Sequence, residues 1–219
     1  IDAGDTGKGE DVILPYLQDL GITSIDYLIA SHYHSDHIGA IDEIVEGLSP
    51  GSIRTVLDRG STPQLPTTKA FRQYWSAAQS TSRHQTVYLG QSIKLTDELS
   101  LQCLAVDGAV LGRGEIKGGK GDENNRSIAW LLSSEHTEGG KNFSFRYFTG
   151  GDCGGVTQAY ADLETPLAGV VGDIDAMKIN HHGSRYSTNR TFLDSLRPEA
   201  VIISVGDRNT YHHPAQETL

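Results

Sequence analysis

The stretch that decides the fold runs Ile25-Asp26-Tyr27-Leu28-Ile29-Ala30 and continues Ser31-His32-Tyr33-His34-Ser35-Asp36-His37. Its first half is short, apolar and β-rich, which reads as a buried strand. Its second half is His-x-His-x-Asp-His: three imidazoles and a carboxylate in six positions, in a chain with nine histidines in all. Imidazole nitrogen and carboxylate oxygen are the donors that borderline divalent cations such as zinc take. The residues that follow, Ile38, Ile41, Ile44, Val45 and Leu48, are apolar at helical spacing, so a helix is predicted over 38–48. The donors therefore fall on a strand-to-helix loop, where a rigid frame presents chemistry to solvent. A polar loop in which Ser35 or Asp36 caps the helix would account for one or two histidines. Three histidines with an aspartate read instead as metal ligands: His32, His34, Asp36 and His37.

Composition narrows the function classes. The 219 residues show no linker-like boundary, so one domain spanning 1–219 is expected. At 37% hydrophobic and 21% charged, the chain has an ordinary globular composition. It has no apolar run long enough for a transmembrane segment or signal peptide, and no membrane contact is expected in this segment. A formal net charge of −10 speaks against the broad basic face that usually takes duplex nucleic acid, although a metal site binds phosphate locally. Cys103 and Cys153 supply neither a disulfide scaffold nor a Cys-x-x-Cys zinc site. They are expected as free, buried thiols, which leaves cytoplasmic and extracytoplasmic locations equally open. Both ends read as cut. Ile1-Asp2-Ala3-Gly4-Asp5 looks like a strand tail turning into a loop, and a helix start at Pro214 lies close to Leu219.

Along the chain, helices are predicted over 10–20, stopping at Gly21, and over 68–79, where Phe71, Tyr74 and Trp75 read as core rather than cofactor contacts. Further helices are predicted over 156–163 and 190–196. Strands are predicted over 53–57, 128–133, 143–148, 176–180 and 200–205. The runs 86–89, 93–95 and 99–106 alternate like antiparallel strands. Residues 107–125, rich in glycine and charge, read as a long mobile loop, either an active-site edge or a plain insertion. This order is satisfied by two sheets with helices outside.

Two more strand ends carry donors. Phe148-Thr149-Gly150-Gly151-Asp152 ends in an aspartate freed by glycines to point outward, and Asp152 could bridge two metals. Its plainer reading is a turn aspartate. In Lys178-Ile179-Asn180-His181-His182-Gly183-Ser184, two adjacent histidines cannot easily face one centre. One should ligate while the other orients it or contacts substrate. Ser184, Ser187, Asn209 and His213 lie in polar loops near presumed strand ends, where their donors suit phosphate oxygens or simple loop hydrogen bonds alike.

With these motifs together, the chain resembles the metallo-β-lactamase-fold hydrolases. The resemblance rests on His-x-His-x-Asp-His, a Gly-Asp after a strand and a late His-Gly after a strand. Asp2 in Ile1-Asp2-Ala3-Gly4 matches that family's first motif. His181-His182-Gly183-Ser184, Asn124-Asn125-x-Ser127 and Asn209-Thr210-Tyr211-His212-His213-Pro214 are similar to the metallohydrolase domain of the bacterial competence protein ComEC. The resemblance implies an α/β fold, an αββα sandwich with metals at one edge, here truncated at the termini. It implies His32 and His34 on a first metal, Asp36 and His37 on a second, Asp152 bridging, His182 rather than His181 as the late ligand, and Asp2 supporting the site. Substrate contacts are expected from His181, Ser184, Asn209 and His213, the last because His213-Pro214 matches the relatives' His-Pro motif, and Asn124 or Asn125 is expected as a weak ligand or a substrate contact. One departure stands out: the family's further histidine is missing, and Glu123-Asn124-Asn125-Arg126-Ser127 occupies its stretch, while His84 and His136 lie elsewhere. The poorer nitrogen supply admits manganese as well as zinc, as one ion or two.

The expected function is a metal-dependent hydrolase, a phosphodiesterase or nuclease using a metal-activated hydroxide, with Asp36 and His182 catalytic and single-stranded DNA a candidate substrate. An ester, lactone or β-lactam hydrolase on the same site is the alternative. A non-catalytic metal-binding module is a third reading. No Gly-x-Ser-x-Gly elbow and no Gly-x-x-x-x-Gly-Lys-Ser/Thr loop occurs.

Overall fold

The computed structural model describes residues 1–219 except Pro63, Gly119, Lys120, 157–159 and Arg208. The chain folds as two compact units, Ile1–Val87 and Tyr88–Leu219.

In the first unit, β1 (Ile25–Ile29), β2 (Ile53–Asp58) and β3 (His84–Thr86) form a parallel sheet in that order. The parallel pairing of β3 differs from the antiparallel reading of that stretch: Val56 pairs with His84 and Asp58 with Thr86. Parallel strands need long crossovers, and the helices supply them. A five-residue π-turn, Gly9–Ile13, leads into α1 (Leu14–Asp19), which stops before Gly21 at φ +66°. The helix predicted from Ile38 is in fact two. α2 (Ser35–Ile38) holds Asp36 and His37, and α3 (Ile41–Gly47) follows. Gly39 separates them because a side chain there would strike the Ser35 carbonyl and crowd Thr6 N. α4 (Lys69–Ser80) begins at Thr68, whose Oγ1 accepts from Phe71 N, a cap of the expected kind. Phe71 and Tyr74 are buried with Leu28, Tyr33, Ile38, Ile41 and Val56, so the aromatics of this helix are core as predicted.

The second unit is built on an eight-stranded sheet, ordered β11-β10-β9-β8-β5-β6-β7 with β4 on β5. Its strands are β4 (Ser92–Lys94), β5 (Leu99–Val106), β6 (Ala109–Val110), β7 (Gly114–Glu115), β8 (Ala129–Glu138), β9 (Lys141–Thr149), β10 (Ala176–Lys178) and β11 (Ala200–Ile202). Strands β9, β10 and β11 run parallel, and the other pairs run antiparallel. Residues 107–125 are not the structureless loop expected: they hold β6 and β7 and enter a 3₁₀ turn, Glu123–Arg126. The helix predicted over 156–163 lies partly outside the described residues, and 160–163 are not helical. The helix here is α5 (Glu164–Val171), whose buried Leu167, Ala168 and Val171 face the core. It packs on α6 (Arg190–Leu196), capped by Asn189. No helix follows Pro214. The core joins Trp130's neighbours Ala129 and Leu131 to Phe148, Leu163, Met177 and Phe192. Cys103 and Cys153 are free and buried, as expected, and burial pushes the Cys103 thiol up to about 12. Among the described residues, no helix is long and apolar enough to cross a membrane.

Candidate functional site

In the first unit, the donors leave the C-terminal end of β1. The N-terminal segment is tied alongside: Asp2 N bonds Ile29 O and Ala3 N bonds His37 O, both at 2.8 Å. This brings the Asp2 carboxylate onto the loop, where Oδ1 accepts from Ser31 N at 2.7 Å and Oδ2 from Ser31 Oγ at 2.8 Å. The His37 Nδ1 also meets Asp2 Oδ2, at 2.8 Å. Burial alone would raise the Asp2 carboxyl, but the charge and hydrogen bond of His37, with Ser31 N–H, outweigh it and bring Asp2 down to about 2.

Proton accounting orients the rings. Ser31 has one hydroxyl proton and gives it to Asp2, so at 3.1 Å its oxygen accepts from His32 Nδ1. Both His32 and His37 thus carry a proton on Nδ1, which in the neutral imidazole leaves Nε2 as the lone-pair nitrogen. His32 Nε2 lies 3.1 Å from His34 Nδ1, a spacing that in this state needs a proton between two basic nitrogens. His32 and His37 are buried, His34 is half-buried, and Asp36 is exposed with Oδ2 3.9 Å from His37 Nε2. Imidazole nitrogen and carboxylate oxygen are the donors a borderline divalent cation takes, and His32, His34, Asp36 and His37 supply donors of that chemistry.

In the second unit, parallel pairing of β9 and β10 puts their C-terminal ends at one sheet edge, the usual place for ligands in such sheets. Asp152 follows β9, and His181 and His182 follow β10. Antiparallel β8 brings its N-terminal end, with Asn124, Asn125 and Ser127, to the same edge. Asp152 is 2% exposed; its N–H donates to Ser127 Oγ at 3.1 Å, and its Oδ2 lies 3.5 Å from His182 Nε2 and 3.9 Å from His181 Nε2. His182 Nδ1 donates to the Ser204 carbonyl at 2.7 Å, so its Nε2 too is the lone-pair nitrogen. His181 Nε2 is 3.5 Å from Asn124 Nδ2. The Asp152 carboxylate and the His182 imidazole are donors of the kind a divalent cation takes.

The expected substrate contacts have varied surroundings. Asn124 Oδ1 is buried without a hydrogen-bond partner among the described residues, as is His213 Nδ1. Burial is the first cause, and nearby His182 the second, holding His213 below the usual imidazole range. Asn125 Oδ1 is taken by Ala161 N, Ser184 is buried with Oγ accepting from Tyr186 N, and Asn209 closes its own loop onto His213 N and O. Asn125 Nδ2 is likewise buried without a hydrogen-bond partner among the described residues. His84, discounted as a ligand, lies 2.6 Å from buried Asp58. Sequence reasoning missed Ser31, whose place directly before His32 was its only signal, and Glu164, described below.

Residues 1–73 match the family model described as the Metallo-beta-lactamase superfamily. That match covers a third of the chain, which has the mixed α/β fold that the motifs implied. The chain is 28% identical to ComE operon protein 3 of Bacillus subtilis over 213 residues, 96% of this chain and 24% of that protein. It is 27% identical to Recombination protein 2 of Haemophilus influenzae, over 97% of this chain and 22% of that protein. To Competence protein ComA of Neisseria gonorrhoeae it is 24% identical, over 98% of this chain and 25% of that protein. The chain spans about a quarter of the length of the curated relatives it matches. Among solved structures, the subclass B3 metallo-beta-lactamase MEM-A1 aligns with a TM-score of 0.44 at 20% identity, over 80% of this chain and 66% of that one. Metallo-beta-lactamase SMB-1 aligns with 0.41 at 21%, over 71% and 54%.

Proposed function

We propose that this domain is a metal-dependent phosphodiesterase whose ligands are His32, His34, Asp36, His37, Asp152 and His182, holding one or two ions of zinc or manganese. The observation that carries the reading is that His32, His37 and His182 are each fixed through Nδ1 by an oxygen, of Ser31, Asp2 and Ser204 respectively. A structural histidine needs no such common orientation; a ligand does. When bound, the cation supplies Lewis acidity and brings the pKa of a coordinated water towards neutrality. Asp2 and Ser31 hold the rings in the ligating tautomer. Asp36, the exposed carboxylate, accepts the proton released by the attacking water. Asn124 Nδ2 and His181 offer hydrogen bonds to the non-bridging oxygens of the substrate. The phosphodiester preference, and single-stranded DNA within it, draws support from the likeness to competence proteins. The acidic balance, −10, supports the ester, lactone or β-lactam alternative.

The test is a substrate panel of bis-p-nitrophenyl phosphate, single-stranded DNA, a lactone and nitrocefin with Mn²⁺ or Zn²⁺, each repeated with chelator. Turnover of the first two that chelator abolishes is the expected result. Faster turnover of lactone or nitrocefin selects the alternative. Turnover indifferent to chelator removes the metal reading.

A further inference from the structure

The second unit holds a carboxylate that the mechanism does not use. Glu164 opens α5 and is fully buried. Its Oε1 accepts from Asn180 Nδ2 at 2.8 Å and from Thr188 N at 2.6 Å, and its Oε2 accepts from Asn189 N at 2.7 Å. These donors stand at the two ends of one loop. Asn180 begins the turn that carries His181 and His182, and Thr188-Asn189 ends it at the cap of α6. Gly155 makes room, since a side chain there would run into Glu164 Oε2.

The loop between is strained. His181 (φ +46°, ψ +45°) and His182 (φ +54°, ψ +19°) are consecutive left-handed residues, and Thr188 is a third at φ +57°. Such conformations are costly for ordinary residues and persist only where the surroundings over-determine them. Within the loop, Ser187 Oγ bonds the Asn180 and Ser184 carbonyls and Ser184 N bonds His181 O; its middle is tied outward by His181 N to Gly151 O, Gly155 N to Tyr186 O, and Ala215 N and Thr218 Oγ1 to Gly183 O. Glu164 ties both of its ends to one helix. A buried carboxylate is a costly way to close a loop that serves only the fold.

We infer that Glu164 is a positioning residue: by clasping Asn180 and Thr188-Asn189, it holds His181 and His182 in the left-handed pair that sets their rings beside Asp152. The inference rests on the reading of Asp152 and His182 as ligands. Glutamine at 164 keeps the volume and one acceptor oxygen, but turns an amide donor towards Asn189 N–H. Alanine leaves all three donors without their acceptor.

The test uses Glu164→Gln and Glu164→Ala, with Glu98→Gln, a surface change, as control. Two readouts are taken: amide hydrogen exchange of the metal-free protein and Zn²⁺ affinity by competition with a chromogenic chelator. In Glu164→Gln, exchange across 180–189 is expected to rise about tenfold or more, with β8 and β9 unchanged. Zn²⁺ affinity should fall about 10- to 100-fold. Glu164→Ala should exceed both effects; if it does not fold, the glutamine variant decides alone. Unchanged exchange across 180–189 overturns the clamp, whether or not metal binds. Faster exchange with unchanged Zn²⁺ affinity overturns the positioning role and leaves a fold contact. Wild-type protein that takes no Zn²⁺ overturns the ligand assignment and the positioning role built on it, whatever exchange shows of the clamp.

Discussion

Asp152→Ala is expected to lower bis-p-nitrophenyl phosphate hydrolysis about a thousandfold or more, mostly in kcat, and to strip metal from the protein. Asp152 is 2% exposed, and its carboxylate stands 3.5 Å and 3.9 Å from two imidazole nitrogens. Burying such a charge is costly, and a divalent cation would offset that cost. On the proposed assignment, removing the carboxylate removes a metal ligand. The backbone there is held separately, by Asp152 N donating to Ser127 Oγ and Cys153 N to Gly150 O, so the loop keeps its course in the variant. The circular dichroism of the variant should match wild type. Activity within tenfold of wild type, with metal retained, would contradict the assignment.

Asp58→Ala is expected to cost about 3–5 kcal/mol of stability while touching no proposed ligand. Asp58 is fully buried at the end of β2 and accepts from Tyr74 OH at 2.5 Å, Gly60 N at 2.8 Å and the His84 ring at 2.6 Å. Alanine strands all three donors in the core. Burial would raise the Asp58 carboxyl, but the His84 and Tyr74 hydrogen bonds prevail and hold it below its ordinary value. A carboxyl depressed in the folded state stabilises above its unfolded value, near 3.8, and loses that contribution as pH falls through the folded value. Glu164 has the opposite sign: burial, against its three hydrogen bonds, raises it to about 7 from 4.5. Its contribution is complete below 4.5 and is lost as pH rises towards 7. Denaturation followed from pH 3 to pH 8 should therefore show an acid limb that Asp58→Ala flattens. An unchanged acid limb, or a loss under about 1 kcal/mol, would contradict this reading.

How far the sequence could be read follows from the range of each signal. His32, His34, Asp36 and His37 were legible because four donors crowd one turn of chain after an apolar run. Asp152 and the His181-His182 pair were legible because each follows a strand whose hydrophobic run stops abruptly. Asp58 and Glu164 were not: each acts through partners 16 to 26 residues away, and a lone acid in a polar stretch has no local signature. The parallel pairing of β3 escaped because alternation reports which face is buried, not which way a neighbour runs. The break at Gly39 escaped because apolar spacing continues across it; only the close approach of Ser35 and Thr6 demands glycine there.

The most direct measurement is the metal content of the purified wild-type protein by elemental analysis, before and after dialysis against Zn²⁺ or Mn²⁺, beside the His37→Ala/Asp152→Ala double variant. The account predicts about one to two bound ions in wild type and fewer than about a tenth of an ion in the double variant, with the fold retained. A wild-type protein that takes up no ion, or a double variant that holds as much metal as wild type, would contradict it.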